Sequence, residues 1–290
     1  MSFINNRAAK RIRRSINVKD NPLTRMIGGF TGVLPDFLIV GVQKCGTTSL
    51  YNYLVRHPLV YPARKKELGY FDRRYGNGIR WYRSQFPSIF RKILFKHILG
   101  HASFLTGEAS TGYILYPHAL RRIAQTLPDV KVILSLRNPV DRAYSHYQHT
   151  ASIGREKLSF PDALEKEHER IGWALRQLKS DNSFFFFDIA LYGYKSIGLY
   201  IDQVKMLISH FQKKNVLILQ SEMVFENTAE IFKQVLDFLD LPEWYPREFT
   251  VYNPRIYQEM EKSVRRELVD FFRPYNEKLY DLLGVNFGWD

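Results

Sequence analysis

The stretch Phe37-Leu-Ile-Val-Gly-Val42 is a near-continuous apolar run, the pattern of a strand buried on both faces. A helix is expected from Thr47 to Arg56, opening on hydroxyl residues and closed by His57-Pro58. The alternation continues down the chain. Ser103 to Glu108 reads as a strand, Pro117 to Thr126 as a helix with proline in its first turn, and Lys131 to Leu136 as a second buried strand. A helix starting at Pro139 carries Arg142, Ser145 and His149. Tyr194 to Phe211 reads as a helix, Asn215 to Gln220 as a strand and Thr228 to Leu239 as an amphipathic helix. A last helix, from Glu261 to Leu283, is expected to break or kink at Pro274. Strands alternating with helices predict an α/β fold with a central, mostly parallel sheet flanked by helices on both faces. Ligands of such sheets sit beyond the carboxyl ends of the strands.

Composition adds few constraints, and charge adds one. The 290 residues are 45% hydrophobic and 24% charged, ordinary values for a globular protein. A formal net charge of +13 favours anionic partners. Residues 1–35 hold seven Arg and Lys against Asp20 alone, so they read as a basic arm, either solvated or touching anionic lipid, ahead of one domain over residues 36–290. The charge left for that domain is modest, and basicity alone gives no argument for a specific nucleic acid. The single cysteine, Cys45, excludes an intrachain disulfide and fits a reducing compartment. No apolar stretch has the length of a membrane span, and the first 20 residues lack the apolar core of a secretory signal. A cytoplasmic location is therefore expected, although an Arg-rich, acid-poor start also has the composition of an organelle transit peptide.

Two segments at strand ends carry chemistry. Gly41-Val42-Gln43-Lys44-Cys45-Gly46-Thr47-Thr48 joins the first strand to its helix. A helix start presents backbone N–H groups and roughly half a positive charge to an anion, and Lys44 adds a full charge. The ATP-binding pattern places lysine directly after the second glycine, whereas Lys44 lies two residues before Gly46. A plain glycine turn with a solvated lysine is the structural alternative. Following the 131–136 strand, Arg137 and Ser145 are spaced to converge on one phosphate. Taken alone, that segment could equally start a helix, with Arg142 paired to Asp141 or lying at the surface.

The order strand, Lys44-Cys45-Gly46-Thr47-Thr48-Ser49, helix resembles the 5′-phosphosulfate loop of sulfotransferases that use 3′-phosphoadenosine-5′-phosphosulfate (PAPS), closest to the heparan sulfate N-/O-sulfotransferase branch. Arg137-Asn138-Pro139-Val140-Asp141-Arg142-Ala143-Tyr144-Ser145 is similar to the 3′-phosphate motif of that family. The resemblance extends roughly from Asp36 to the end of the chain. It implies a P-loop-like nucleotide-binding fold and PAPS as donor cosubstrate. Lys44, Cys45, Gly46, Thr47, Thr48 and Ser49 would hold the 5′-phosphosulfate, and Arg137 and Ser145 the 3′-phosphate. Cys45 would be a loop residue and not a nucleophile, and no metal is expected.

Lys65-Lys66-Glu67-Leu68-Gly69-Tyr70-Phe71-Asp72 resembles the family segment that carries the general base, which assigns that role to Glu67. His149 stands where N-sulfotransferases have a catalytic histidine, and Lys44 would stabilise the transferring oxygens. Arg255 and Tyr257 match a loop that closes over the nucleotide, with Asn253 in place of its lysine. Gly107-Glu108-Ala109-Ser110 resembles an E-K-S segment whose lysine, near the acceptor, is replaced by Ala109. A heparan-type acceptor therefore does not carry over. The expected acceptor is a hydroxyl or amine on a glycan, lipid or small molecule. The missing C-terminal cysteine pair and membrane anchor point to a bacterial-type cytoplasmic enzyme. The alternatives are a nucleotide-dependent kinase or phosphotransferase and a non-catalytic polyanion binder. Phe184-Phe-Phe-Phe187 reads as either core or cleft wall.

Overall fold

The computed structural model describes residues 22–98, 104–179, 184–250, 252 and 258–289. Helix α1 (Pro22–Thr31) precedes strand β1 (Phe37–Gly41), and α2 (Thr47–Leu54) follows it. Strand β2 (Val60–Pro62) leads into helices α3 (Tyr70–Arg73), α4 (Gly78–Arg83) and α5 (Ile89–Ile98), then β3 (Leu105–Ala109) and α6 (Pro117–Thr126). Strand β4 (Lys131–Leu136) is followed by α7 (Pro139–Ser152), α8 (Phe160–Lys179), α9 (Phe187–Tyr192) and α10 (Tyr200–His210). Strand β5 (Val216–Gln220) precedes α11 (Ser221–Glu226), α12 (Thr228–Phe238) and α13 (Lys262–Leu283). The strands form one parallel sheet in the order β2-β3-β1-β4-β5. The expected α/β architecture, with helices on both faces, is the one observed.

Side-chain alternation along the central strands builds two cores. Leu38 and Val40 of β1 join Val132, Leu134 and Leu136 of β4 on one face, under Leu120 and Ile123 of α6 and Val204 and Leu207 of α10. Phe37, Ile39 and Ile133 point to the other face, under Leu50 and Leu54 of α2 and Val235 and Leu236 of α12. A third cluster, with Val140, Ala143, Phe160, Leu268 and Phe272, fastens α7 to α8 and α13.

The strand expectations hold to within two residues, and α6 and β4 match at both ends. The helix expected from Tyr194 starts later, at Tyr200, after a 3-10 turn at Ser196–Gly198. Helix α13 runs unbroken through Pro274, held by a buried stripe of Val264, Leu268, Phe272, Asn276 and Leu279 on both sides of the proline. Within the segment expected as a basic arm, α1 packs closely on α4. A Cβ on Gly29 would lie 3.1 Å from the Arg80 carbonyl oxygen, and Arg83 Nε donates to the Gly32 carbonyl at 2.7 Å. His57 is buried as well as ending a helix, its Nε2 3.0 Å from the Pro242 carbonyl. Among the described residues no helix is long and apolar enough to cross a membrane.

The segment between β2 and β3 is tied to the sheet through Glu108, which is completely buried on β3. Its carboxylate accepts from Tyr82 Oη (2.6 Å), Tyr113 Oη (2.9 Å) and Ser110 Oγ (2.8 Å). Tyr113 Oη in turn accepts from the Tyr70 amide at 2.8 Å, and Ser110 Oγ accepts from the Gly69 amide at 3.0 Å. Burial pushes the Glu108 carboxyl up to about 7, outweighing the three hydrogen bonds that favour its charged form.

Two outcomes are expected. Ile133→Ala should lower the free energy of unfolding by about 2–5 kcal/mol, read from the denaturant midpoint with an unchanged slope. A carboxyl whose folded-state value is raised contributes most below its unfolded value, near 4.5, and loses that contribution as pH rises through about 7. Between about pH 5 and 8 the wild type should therefore lose roughly 2–3 kcal/mol more stability than Glu108→Gln. Equal pH slopes for the two proteins would contradict the buried, raised carboxyl.

Candidate active site

Because β3, β1 and β4 are neighbours running the same way, the loops at their carboxyl ends emerge side by side. The β1 loop is sharply bent. Lys44 has a φ of 71° and Gly46 a φ of 72°, both left-handed. Gly46 is also held close, since a Cβ there would lie 3.1 Å from the Phe225 ring. Both the conformation and the contact select glycine. A lysine in this region stores backbone strain of the kind found at ligand sites. Thr47 and Ser49, in the first turn of α2, are buried.

The β4 loop is locked onto the first. The Val42 amide donates to the Ser135 carbonyl (2.9 Å), and Ser135 Oγ donates to the Cys45 carbonyl (2.7 Å). Tyr200 Oη donates to the Arg137 carbonyl at 2.8 Å, and the Asn138 amide donates to Glu222 Oε1 at 2.7 Å. Asn138 Oδ1 caps α7 by accepting from the Val140 amide at 3.0 Å. Neither sequence alternative for Arg142 is observed. Asp141 pairs with Arg265 instead, and Arg142 is fully buried, donating to the carbonyls of Gly193 and Tyr194. Burial lowers the pKa of this guanidinium.

Facing these loops is the turn that carries Glu67, itself at a φ of 58°. Its carboxylate lies 2.5 Å from Lys66 Nζ and accepts from the Thr111 amide at 3.1 Å. The Glu67 amide donates to the Ala109 carbonyl at 2.9 Å, so the turn is hung from the end of β3. The Glu108 network beneath it secures Gly69 and Tyr70, just beyond the turn.

One cavity of about 650 Å³ lies among the three loops. It brings together Lys44, Gly46, Thr47, Thr48, Ser49, Glu67, Arg137, Ser145 and His149 from the sequence-predicted set. Cys45 is adjacent to this set but does not line the cavity. Its thiol is buried, 4.0 Å from Tyr200 Oη, and burial pushes it up to about 11, which suits a loop residue and not a nucleophile. Arg255 and Tyr257 lie outside the described residues.

The cavity also contains residues that sequence reasoning missed. Lys66, Asp72, Arg73, Thr111, Tyr116, Phe225 and Tyr252 all line it. Lys66 and Asp72 stood inside a segment already singled out, and Thr111 follows the carboxyl end of a strand, where the sheet rule directs attention. Tyr252 reaches the site through its amide, which donates to Ser49 Oγ at 3.2 Å. Nothing local marks Phe225. The phenylalanine run is split: Phe185 lines the cavity against Tyr116, with ring centroids 5.2 Å apart, while Phe184 and Phe187 are exposed.

The chain is similar to known proteins. The sulfotransferase domain family matches residues 34–266. The chain is 26% identical over 321 residues to the membrane-associated sulfotransferase kil1 of Dictyostelium discoideum, covering 88% of this chain and 66% of that protein. It is 28% identical over 286 residues to the heparan sulfate glucosamine 3-O-sulfotransferase 3B1 of Mus musculus, covering 89% and 65%. It thus spans just under two thirds of the length of these relatives. The crystal structure of a sulfotransferase from Alicyclobacillus acidocaldarius shares 31% identity and superposes with a TM-score of 0.68, covering 89% of this chain and 99% of that one. With a family match over most of its length and a solved relative of the same fold, the chain belongs to the sulfotransferase domain family.

Proposed function

We propose that this protein transfers a sulfuryl group from PAPS to a hydroxyl or amine of an acceptor, with Glu67 as general base. The observation that carries this reading is the opening of both anion-binding loops and Glu67 onto one cavity. Two separate cationic anchors, Lys44 and Arg137, suit a nucleotide with anionic groups at both its 3′ and 5′ positions. The offset of Lys44 from Gly46 and the second anchor weigh against a kinase.

When bound, the donor supplies the sulfuryl group and carries the leaving bisphosphate. Lys44 and the first-turn amides of α2 hold the 5′ end, where negative charge develops. Thr47, Thr48 and Ser49 add hydroxyl donors. The planar fork of Arg137 and the hydroxyl of Ser145 hold the 3′-phosphate. Glu67 takes the acceptor proton, its carboxylate oriented by Lys66 and the Thr111 amide. His149, one helical turn beyond Ser145, moves or holds a proton on the same cavity. The resemblance assigns closure over the nucleotide to Arg255 and Tyr257. Leu115, Tyr116 and Phe185 give the cavity an apolar wall with Arg73 beside it, able to receive a glycan, lipid or small molecule.

Lys44→Ala should lower turnover by about 100-fold or more, followed with labelled PAPS over a panel of acceptor classes. Glu67→Gln should reduce kcat by about 10²–10⁴-fold while leaving the affinity for 3′,5′-bisphosphoadenosine, measured calorimetrically, almost unchanged. Full turnover by Glu67→Gln would remove this residue as the base. Arg137→Ala should erase the preference for the 3′,5′-bisphosphate over the 5′-monophosphate.

A further inference from the structure

Among the described residues, helices α1 and α5 each expose several large apolar side chains. On α1, Met26, Ile27 and Phe30 face solvent, at 60%, 49% and 60% exposure. On α5, Ile89, Phe90, Ile93 and Leu94 do the same, with Phe90 at 66%. Their spacing places them on one side of each helix. The opposite side of α5 is anchored by Phe95, buried against Tyr61 and Phe104.

The end of α1 lies beside the start of α5. Gly32, just past α1, is bridged to Ser88, just before α5, and the Val33 amide donates to the Pro87 carbonyl at 2.9 Å. Helix α4 lies against α1 and adds exposed Ile79, while the Arg80 guanidinium sits 4.6 Å from the Phe30 ring centroid. The same region is strongly cationic. Residues 73–107 contain no Asp or Glu, and none occurs in residues 21–35. Arg80 and Arg83 on α4 and Arg91 and Lys96 on α5 supply positive charge on the same helices, and Lys92 is paired with Asp36.

We infer that α1, α4 and α5 form a docking face for an anionic lipid bilayer. Phe, Ile, Leu and Met side chains enter the boundary between headgroups and acyl chains, and the surrounding Arg and Lys meet the anionic headgroups. Charge complementarity selects this occupant. A second copy of the face would set like charges against one another. A nucleic acid or sulfated glycan would leave the aliphatic side chains without a partner. The face belongs to described helices, and none of its residues lies within 1–21.

The test uses the full chain sedimented with vesicles of phosphatidylcholine alone or containing roughly one third phosphatidylglycerol. The wild type should pellet with the anionic vesicles and stay in solution with the neutral ones. Phe30→Ser/Phe90→Ser/Ile93→Ser retains every charge, including those of residues 1–21, and should lower partitioning by about tenfold or more. A thermal melt and unchanged binding of 3′,5′-bisphosphoadenosine would show that the triple variant is folded. If it melts early, Arg80→Glu/Lys96→Glu gives an independent reading, with weakened binding to anionic vesicles expected. Failure of the wild type to bind anionic vesicles, equal binding to both vesicle types, or undiminished binding by the folded triple variant would overturn the inference. So would wild-type self-association, seen by sedimentation velocity, that the triple variant abolishes.

Discussion

The parallel, adjacent pairing of β3, β1 and β4 is the constraint from which the site follows. Ile39 lies opposite Ala109 and Gly41 opposite Leu134, so three strands end at one edge of the sheet. Loops separated by dozens of residues in sequence are thereby neighbours in space. A slip of one residue in β1 would exchange its two buried faces and turn the turn at Lys44 away from Arg137. The burial of all five β1 residues, on both faces, is what holds the register.

Around that edge, buried polar groups give the loops fixed positions. Ser135 holds Cys45, Arg142 holds the carbonyls at 193–194, and Glu108 reaches Gly69 and Tyr70 through Ser110 and Tyr113. A buried donor or acceptor that loses its partner loses more free energy than the bond itself contributes, so each connection resists rearrangement. The result is a set of cations, amides and two carboxyl groups, Glu67 and Asp72, arranged before any ligand arrives, which is the condition for electrostatic stabilisation of developing charge.

The segment between β2 and β3 has two separate parts. Its first turn carries Lys66 and Glu67 to the cavity, and its later helices, α4 and α5, carry the exposed apolar and cationic face. Glu108 anchors both, the first through Ser110 and Tyr113 and the second through Tyr82 of α4, while Phe95 fastens α5 against Phe104. The proposed bilayer contact and the proposed chemistry therefore share a scaffold without sharing residues.

Local patterns determined much of this protein. Continuous apolar runs announced the buried strands, because a strand covered on both faces has no polar side to show. Lys44 through Ser49 could be read as a candidate anion site because a strand end followed by a helix start presents amides to an anion, whereas Arg137 with Ser145 stood out only through the family resemblance. What lay beyond reading was set by contacts between distant segments. Helix α1 was hidden because the side that packs on α4 is made of Gly28, Gly29 and Gly32, residues that carry no helix signal in the sequence. Arg142 read as pairing with Asp141 or lying at the surface, whereas the carbonyls at 193–194, some fifty positions away, receive it. Phe225 and Tyr252 reach the cavity by the path of the chain alone, with no motif around them. The sequence determined which residues could bind an anion or take a proton. Only the tertiary structure decided which of them share one cavity, because that depends on strand order, and strand order is fixed by packing across the whole sheet.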